Sequence, residues 1–116
     1  MSKIKNIFRA EYFLEKSHNG IGALEKVRVF EKEDFKTKID FIDYVIVQPD
    51  HTIGYHQHSE NEEIYFILKG SSSMITGGET VKICKGDVII NECGESHGLI
   101  NNSEEPMEIF IFQVSK

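Results

Sequence analysis

The chain has no surplus of basic residues: 13 lysines and arginines stand against 19 aspartates and glutamates, a formal net charge of −6. A surface that grips nucleic acid or an anionic membrane needs a net-positive patch. The longest basic cluster, Lys36-Thr37-Lys38, is too short to make one, so neither partner is expected. No apolar run approaches the roughly 20 residues that a transmembrane helix requires. The first residues, Met1-Ser2-Lys3-Ile4-Lys5-Asn6, carry lysines with no apolar core behind them, so no secretory leader is expected either. Cysteine is scarce. Cys84 and Cys93 flank the apolar stretch Val88-Ile89-Ile90 and are too few for a disulfide framework, which points to two reduced thiols and a cytoplasmic location. There is also no linker, low-complexity tract or repeat of solenoid period.

What remains is an ordinary globular composition, with 40% hydrophobic and 28% charged residues in 116. That length is enough for one domain with a core of its own. Residues 1–40 are the least patterned and are expected to pack on the rest as an N-terminal segment. Within it Asn6 to Glu15 suits a short helix or irregular edge, His18-Asn19-Gly20-Ile21-Gly22 a loop, Leu24 to Phe30 a strand, and Glu33 to Lys38 a charged connection. Residues 41–116 read differently. Short apolar runs near 41–48, 52–58, 63–69, 72–76, 80–83, 87–91, 97–101 and 107–114 alternate with turn signals such as Pro49-Asp50, Gly77-Gly78 and Lys85-Gly86. Many short strands with polar punctuation predict an all-β antiparallel sandwich or jelly-roll barrel.

Several of these strands are apolar on both faces. Phe41, Val45 and Val47 alternate with Ile42, Tyr44 and Ile46; Ile109 and Ile111 alternate with Phe110, Phe112 and Val114. A strand with one wet face should instead alternate apolar with polar. No helices are left over to cover a second face, so a second copy of the chain is expected to do so, giving a homodimer. The N-terminal segment lying over these rows is the alternative.

The chemistry-bearing stretch runs from Gly54 to Gly70. His56 and His58 are two apart, so a strand presents both imidazoles on one side. A four-residue polar loop, Ser59-Glu60-Asn61-Glu62, then returns the chain, and Glu63 opens the next strand close to His58. Two imidazoles and a carboxylate suit a divalent transition ion. Alone the pair is weak, since five histidines give a chance His-x-His about 0.2 times in a chain of this length. A second stretch, Gly86 to Asn101, adds a strand, the turn at Gly94 and His97 at the start of another strand.

Together these stretches resemble the two signature motifs of the cupin superfamily. The first is matched by His56, His58, Glu63 and Gly70, and the second by Gly86, Gly94, His97 and Asn101. Two positions depart from the pattern: Asp50 stands where the first motif opens on glycine, and Glu92 where the second carries proline. The resemblance implies a double-stranded β-helix with one divalent metal ion (iron, manganese, nickel, cobalt or zinc) on His56, His58, Glu63 and His97. It implies a metal-dependent enzyme of dioxygenase, decarboxylase or lyase, or isomerase type, acting on a small oxygen-rich or carboxylate-bearing metabolite. A non-catalytic small-molecule binding module is the alternative, because the fold does not choose between them. Glu62, one residue before Glu63, would face the opposite side of the strand. His51 would face away from the ligands and reads as a surface residue or one behind the ligands, His18 as an exposed residue, and Cys93 as an inert buried thiol. Tyr44, Tyr55, Tyr65, Phe112 and Gln113 are candidates to line the barrel. Arg28 is a candidate anchor for a carboxylate, and Glu92, Tyr44 and Tyr65 are candidate acids or bases.

Overall fold

The computed structural model describes all 116 residues and contains ten strands. These are β1 (Phe13–Glu15), β2 (Leu24–Glu31), β3 (Ile39–Val47), β4 (Thr52–Gln57), β5 (Asn61–Lys69), β6 (Ser71–Thr76), β7 (Glu79–Cys84), β8 (Val88–Asn91), β9 (Ser96–Ile100) and β10 (Met107–Ser115). Two antiparallel sheets form, with orders β1-β2-β3-β10-β5-β8 and β4-β9-β6-β7. The eight strands expected after residue 40 appear within two residues of their expected limits. The expected strand at 24–30 is β2, which joins the larger sheet beside β3. No helix is long and apolar enough to cross a membrane.

Alternation decides which side chains enter the space between the sheets. From β3 these are Val45 and Val47, from β5 Tyr65 and Ile67, and from β10 Met107, Ile109 and Ile111; Met74, Ile83 and Leu99 meet them from the smaller sheet. Gly77-Gly78 makes the two-residue hairpin between β6 and β7, with φ of 55° and 79°. Both values belong to the left-handed region that the turn demands and glycine supplies. Asn101, fully buried, closes the end of the barrel beyond β9. Its side-chain amide donates to the carbonyls of Val47 (2.9 Å) and Glu105 (2.7 Å), and its oxygen accepts from Ser103. Its place in the motif is therefore structural.

The outer face of the larger sheet is apolar, as the two-sided strands imply. At its β2–β3 end Val27, Val29 and Tyr44 are buried under Ile7 and Ala10 of the N-terminal segment, with the Tyr12 ring set edge-on against Tyr44. At the β5–β8 end nothing of the chain lies over it. Phe66, Val88 and Ile90 are 44%, 60% and 59% exposed, so the N-terminal segment covers only part of the face.

Candidate metal centre

Three elements bring the four expected residues together at one end of the barrel. β4 and β9 pair so that His56 lies directly opposite His97, after an irregularity in register between Ile53 and His56. That step adds one residue to β4, so Ile53 and His56, three apart, both point inward; bulges re-aim side chains in this way. His58 lies just beyond β4, where its backbone N–H donates to the Glu95 carbonyl at 3.2 Å. Glu63 projects inward from β5, opposite Asn91 on one side and Gln113 on the other.

The Nε2 atoms of His56, His58 and His97 are 2.9–3.0 Å from one another. Glu63 Oε1 lies 2.9 Å from His58 Nε2, 3.3 Å from His97 Nε2 and 3.8 Å from His56 Nε2. His58, Glu63 and His97 are buried, each less than 10% exposed, and His56 is partly buried. The far sides of two rings are fixed: His56 Nδ1–H donates to the Gly54 carbonyl (2.7 Å), and His58 Nδ1–H to Asn61 Oδ1 (2.6 Å). In a neutral ring the other nitrogen is then a lone-pair acceptor, so His56 and His58 aim acceptors at each other and at a carboxylate oxygen. His97 Nδ1 is buried without a partner. Acceptors this close repel unless a cation lies among them, so the donor set fits a metal ion.

Burial by itself would raise the Glu63 carboxyl, but the three imidazoles of His56, His58 and His97 around it outweigh burial and hold the group well below the carboxylate range. The Glu63 hydrogen bond raises His58 above the usual imidazole value against the opposing effect of burial. Burial lowers His97, with the Glu63 hydrogen bond opposing and repulsion from His56 reinforcing the shift.

A cavity of about 200 Å³ opens beside this group, with His56 and Glu63 on one wall. The opposite wall carries charge. Asp43, 1% exposed, is held by Arg28 through both carboxylate oxygens and by Lys26 Nζ at 3.2 Å; Lys26 also reaches Glu15 at 3.2 Å. Arg28 also lies over the Phe41 ring, 4.3 Å from its centroid. Tyr65 and Gln113 line the cavity too. Tyr44 is on the outer face, Tyr55 is 56% exposed, and Phe112 alternates with inward Ile111, so none of these three does. Glu92 is exposed, Glu62 lies on the outer side of β5, and Cys93 sits away from the cavity. His51 packs against Gly22, with its Nδ1 3.0 Å from the Pro49 carbonyl oxygen.

The Cupin domain family profile matches residues 43–112. The chain belongs to the cupin family. This cupin is 32% identical over 89 residues to an oxalate-binding protein of Thermotoga maritima, an alignment covering 77% of this chain and 74% of that protein. Its fold superposes with a TM-score of 0.95 on a T. maritima protein described as a predicted oxalate decarboxylase, at 24% identity, covering 98% and 100% of the two chains. A Cupin 2 conserved barrel domain protein from Salinispora arenicola superposes at 0.77, with 21% identity over 99% of this chain and 90% of that one.

The cavity also holds Lys26 and Asp43, which the sequence did not single out, and His18, expected at the surface and exposed on one side. His18 lines it, with its ring stacked on that of His56 at 3.4 Å between centroids and 7° between planes. Its pKa is lowered, by burial first and then by repulsion from His56. No sequence spacing joins positions 18 and 56. Lys26 and Asp43 were findable: Lys26 is two residues from Arg28 on one strand, and Asp43 interrupts the inward row Phe41, Val45, Val47.

Proposed function

We propose that this cupin binds one divalent metal ion through His56, His58, Glu63 and His97 and acts there on a small, oxygen-rich, carboxylate-bearing metabolite as a metal-dependent enzyme of oxygenase, decarboxylase or lyase, or isomerase type. The observation that carries this reading is the convergence of four acceptor atoms at metal-ligand spacing. The three imidazole Nε2 atoms stand 2.9–3.0 Å apart and Glu63 Oε1 lies 2.9–3.8 Å from them, so these four residues would hold the ion. His56 and Glu63 also line the cavity, so an ion held there would be open to a ligand in it.

With four protein donors, a six-coordinate ion would keep room for a chelating ligand such as an α-oxo acid or a short dicarboxylate. Charge agrees: Glu15, Lys26, Arg28 and Asp43 cancel, whereas a divalent ion with one carboxylate ligand leaves a positive charge for an anion to neutralise. The cavity is below the 300–1,000 Å³ of drug-sized ligand sites, which favours a metabolite of a few carbons. Similarity to an oxalate-binding protein supports the same class, and oxalate is the first ligand to try. A bound ion would supply Lewis-acid polarisation of the substrate oxygens. The chain's part is to hold the anion between His56 and the Lys26–Arg28 wall, with Tyr65 and Gln113 at its flanks.

The non-catalytic binding reading is favoured by one observation. None of the three acid–base candidates read from the sequence serves: Glu92 and Tyr44 lie outside the cavity, and the Tyr65 phenol is pushed far up by burial and then by Glu63. Metal analysis of untagged protein, followed by turnover assays with oxalate, separates the readings. About one equivalent of iron, manganese, nickel, cobalt or zinc with product formation supports the enzyme; the same metal and tight oxalate binding without turnover supports the binding module. His56→Ala or His97→Ala, each removing one of four donors, should lower metal retention at least tenfold while the fold persists. Full occupancy in the double variant would remove the assigned site.

We further read the chain as a cytoplasmic protein with two reduced thiols, and as one domain in which residues 1–40 pack on the barrel of 41–116. A second copy, we propose, covers the exposed outer end of the larger sheet.

A further inference from the structure

The segment before β2 is seated on the site rather than beside it. Its Ser17–Asn19 turn lies against β4, held where Ile21 N–H donates to Thr52 Oγ1 (2.7 Å) and Thr52 N–H to the Ile21 carbonyl (2.9 Å). The contact requires glycine at position 54, where a Cβ would collide with the His18 carbonyl. His18 and Asn19 both adopt left-handed backbone angles, with φ of 51° and 58°, and neither is glycine. Such conformations persist only where the surroundings impose them, and they cluster at sites where a side chain must be aimed. Here the result is a face-to-face stack of His18 on His56, with the outer side of the His18 ring exposed to solvent and the inner side forming part of the cavity wall.

We propose that His18 is a positioning and size-selecting residue of the metal cavity. It holds the His56 ring in its metal-facing orientation by stacking on one face, and it closes the cavity to ligands larger than a compact chelating acid. His18 is not itself among the converging donors: its ring lies flat on His56 instead of aiming a nitrogen at Glu63. Its role follows from shape and stacking, so an aromatic ring without nitrogen should serve in its place.

The inference rests on the metal reading above, and the test keeps the two apart. Wild type, His18→Ala and His18→Phe are loaded with Mn(II), and three quantities are measured: Mn(II) per chain, the rate of Mn(II) loss to excess chelator, and binding of oxalate and of the bulkier phthalate, followed by the Mn(II) EPR line shape. The expected result is one equivalent of Mn(II) in all three. His18→Ala should lose Mn(II) about tenfold faster and admit phthalate, which wild type excludes, while His18→Phe should behave as wild type. Unchanged Mn(II) loss and phthalate exclusion in His18→Ala would overturn the proposal with the metal reading intact. Failure of wild type to take up any Mn(II), Fe(II), Ni(II), Co(II) or Zn(II) would overturn the metal reading and this inference with it.

Discussion

Asp50 shows how a departure from the family pattern can be read in physical terms. The chain turns through Gln48-Pro49-Asp50-His51, closed by a bond from the His51 N–H to the Gln48 carbonyl at 3.1 Å, and Asp50 has φ of 65°. Proline second and positive φ third define a type II turn, whose third position favours glycine. The family's glycine thus answers a backbone need, and aspartate meets it at a steric cost. Asp50→Gly removes a left-handed penalty of about 1 kcal/mol but adds unfolded-state entropy. The net should be a gain of about 0.5 kcal/mol, read as a higher urea midpoint at constant slope. A second residue-scale outcome concerns pH. In the metal-free chain His58 is raised by Glu63 whereas His97 is lowered by burial, so on acidification His58 takes a proton before His97. Because imidazole must be neutral to bind a metal, protons compete with the ion for these nitrogens and retention should fall as pH is lowered. Mn(II) content after dialysis at stepped pH checks this; retention independent of pH down to the carboxylate range would contradict it. In the metal-free chain the sign reverses: the His58–Glu63 pair stabilises the fold fully below the unfolded imidazole pKa, and that contribution is lost as pH rises through the raised value.

At the scale of elements, strand β4 has two jobs. It contributes His56 to the cavity, and it provides the seat for the Ser17–Asn19 turn. Gly54 serves the second. Gly54→Ala should therefore displace the turn, lower stability by about 1–3 kcal/mol and speed Mn(II) loss as His18→Ala does; a crystal structure of the variant with the His18–His56 stack unchanged would rule this out. The same strand shows what the sequence disclosed and what it hid. The pairing of His56 with His58 follows from a two-residue period, and Glu63 follows from a short loop that returns the chain, because both relations are local. The opposition of His56 to His97 came only through the motif spacing, since the irregularity between Ile53 and His56 cannot be read from composition. The stack of His18 on His56 crosses 38 positions and depends on a backbone conformation that no local pattern encodes. β1, three residues long, is too short to show an alternation. The Asn6–Glu15 stretch accordingly reads as helix or irregular edge, where the structure has a turn followed by this edge strand.

For the whole molecule, the larger sheet raises a question that β5 and β8 pose together. Val88 stands opposite Phe66 and Ile90 opposite Ile64, so β8 continues outward an apolar surface that the N-terminal segment leaves bare. Contiguous exposed apolar patches of this kind mark association surfaces. Ile90→Glu on this face should halve the mass in solution, from about 27 to 13.3 kDa, by light scattering; a wild-type mass of one chain would refute the dimer. The four converging donors have a further consequence. His56 and His97 belong to the smaller sheet and Glu63 to the larger, so a bound ion would be a cross-link between the layers in a protein whose two cysteines form none. It would fasten the open end of the barrel as a rivet fastens two plates, adding about 2.7 kcal/mol when free metal stands at a hundred times its dissociation constant. Resistance to unfolding would then track the supply of metal in the surroundings, so that this cupin's lifetime and its chemistry would share one control.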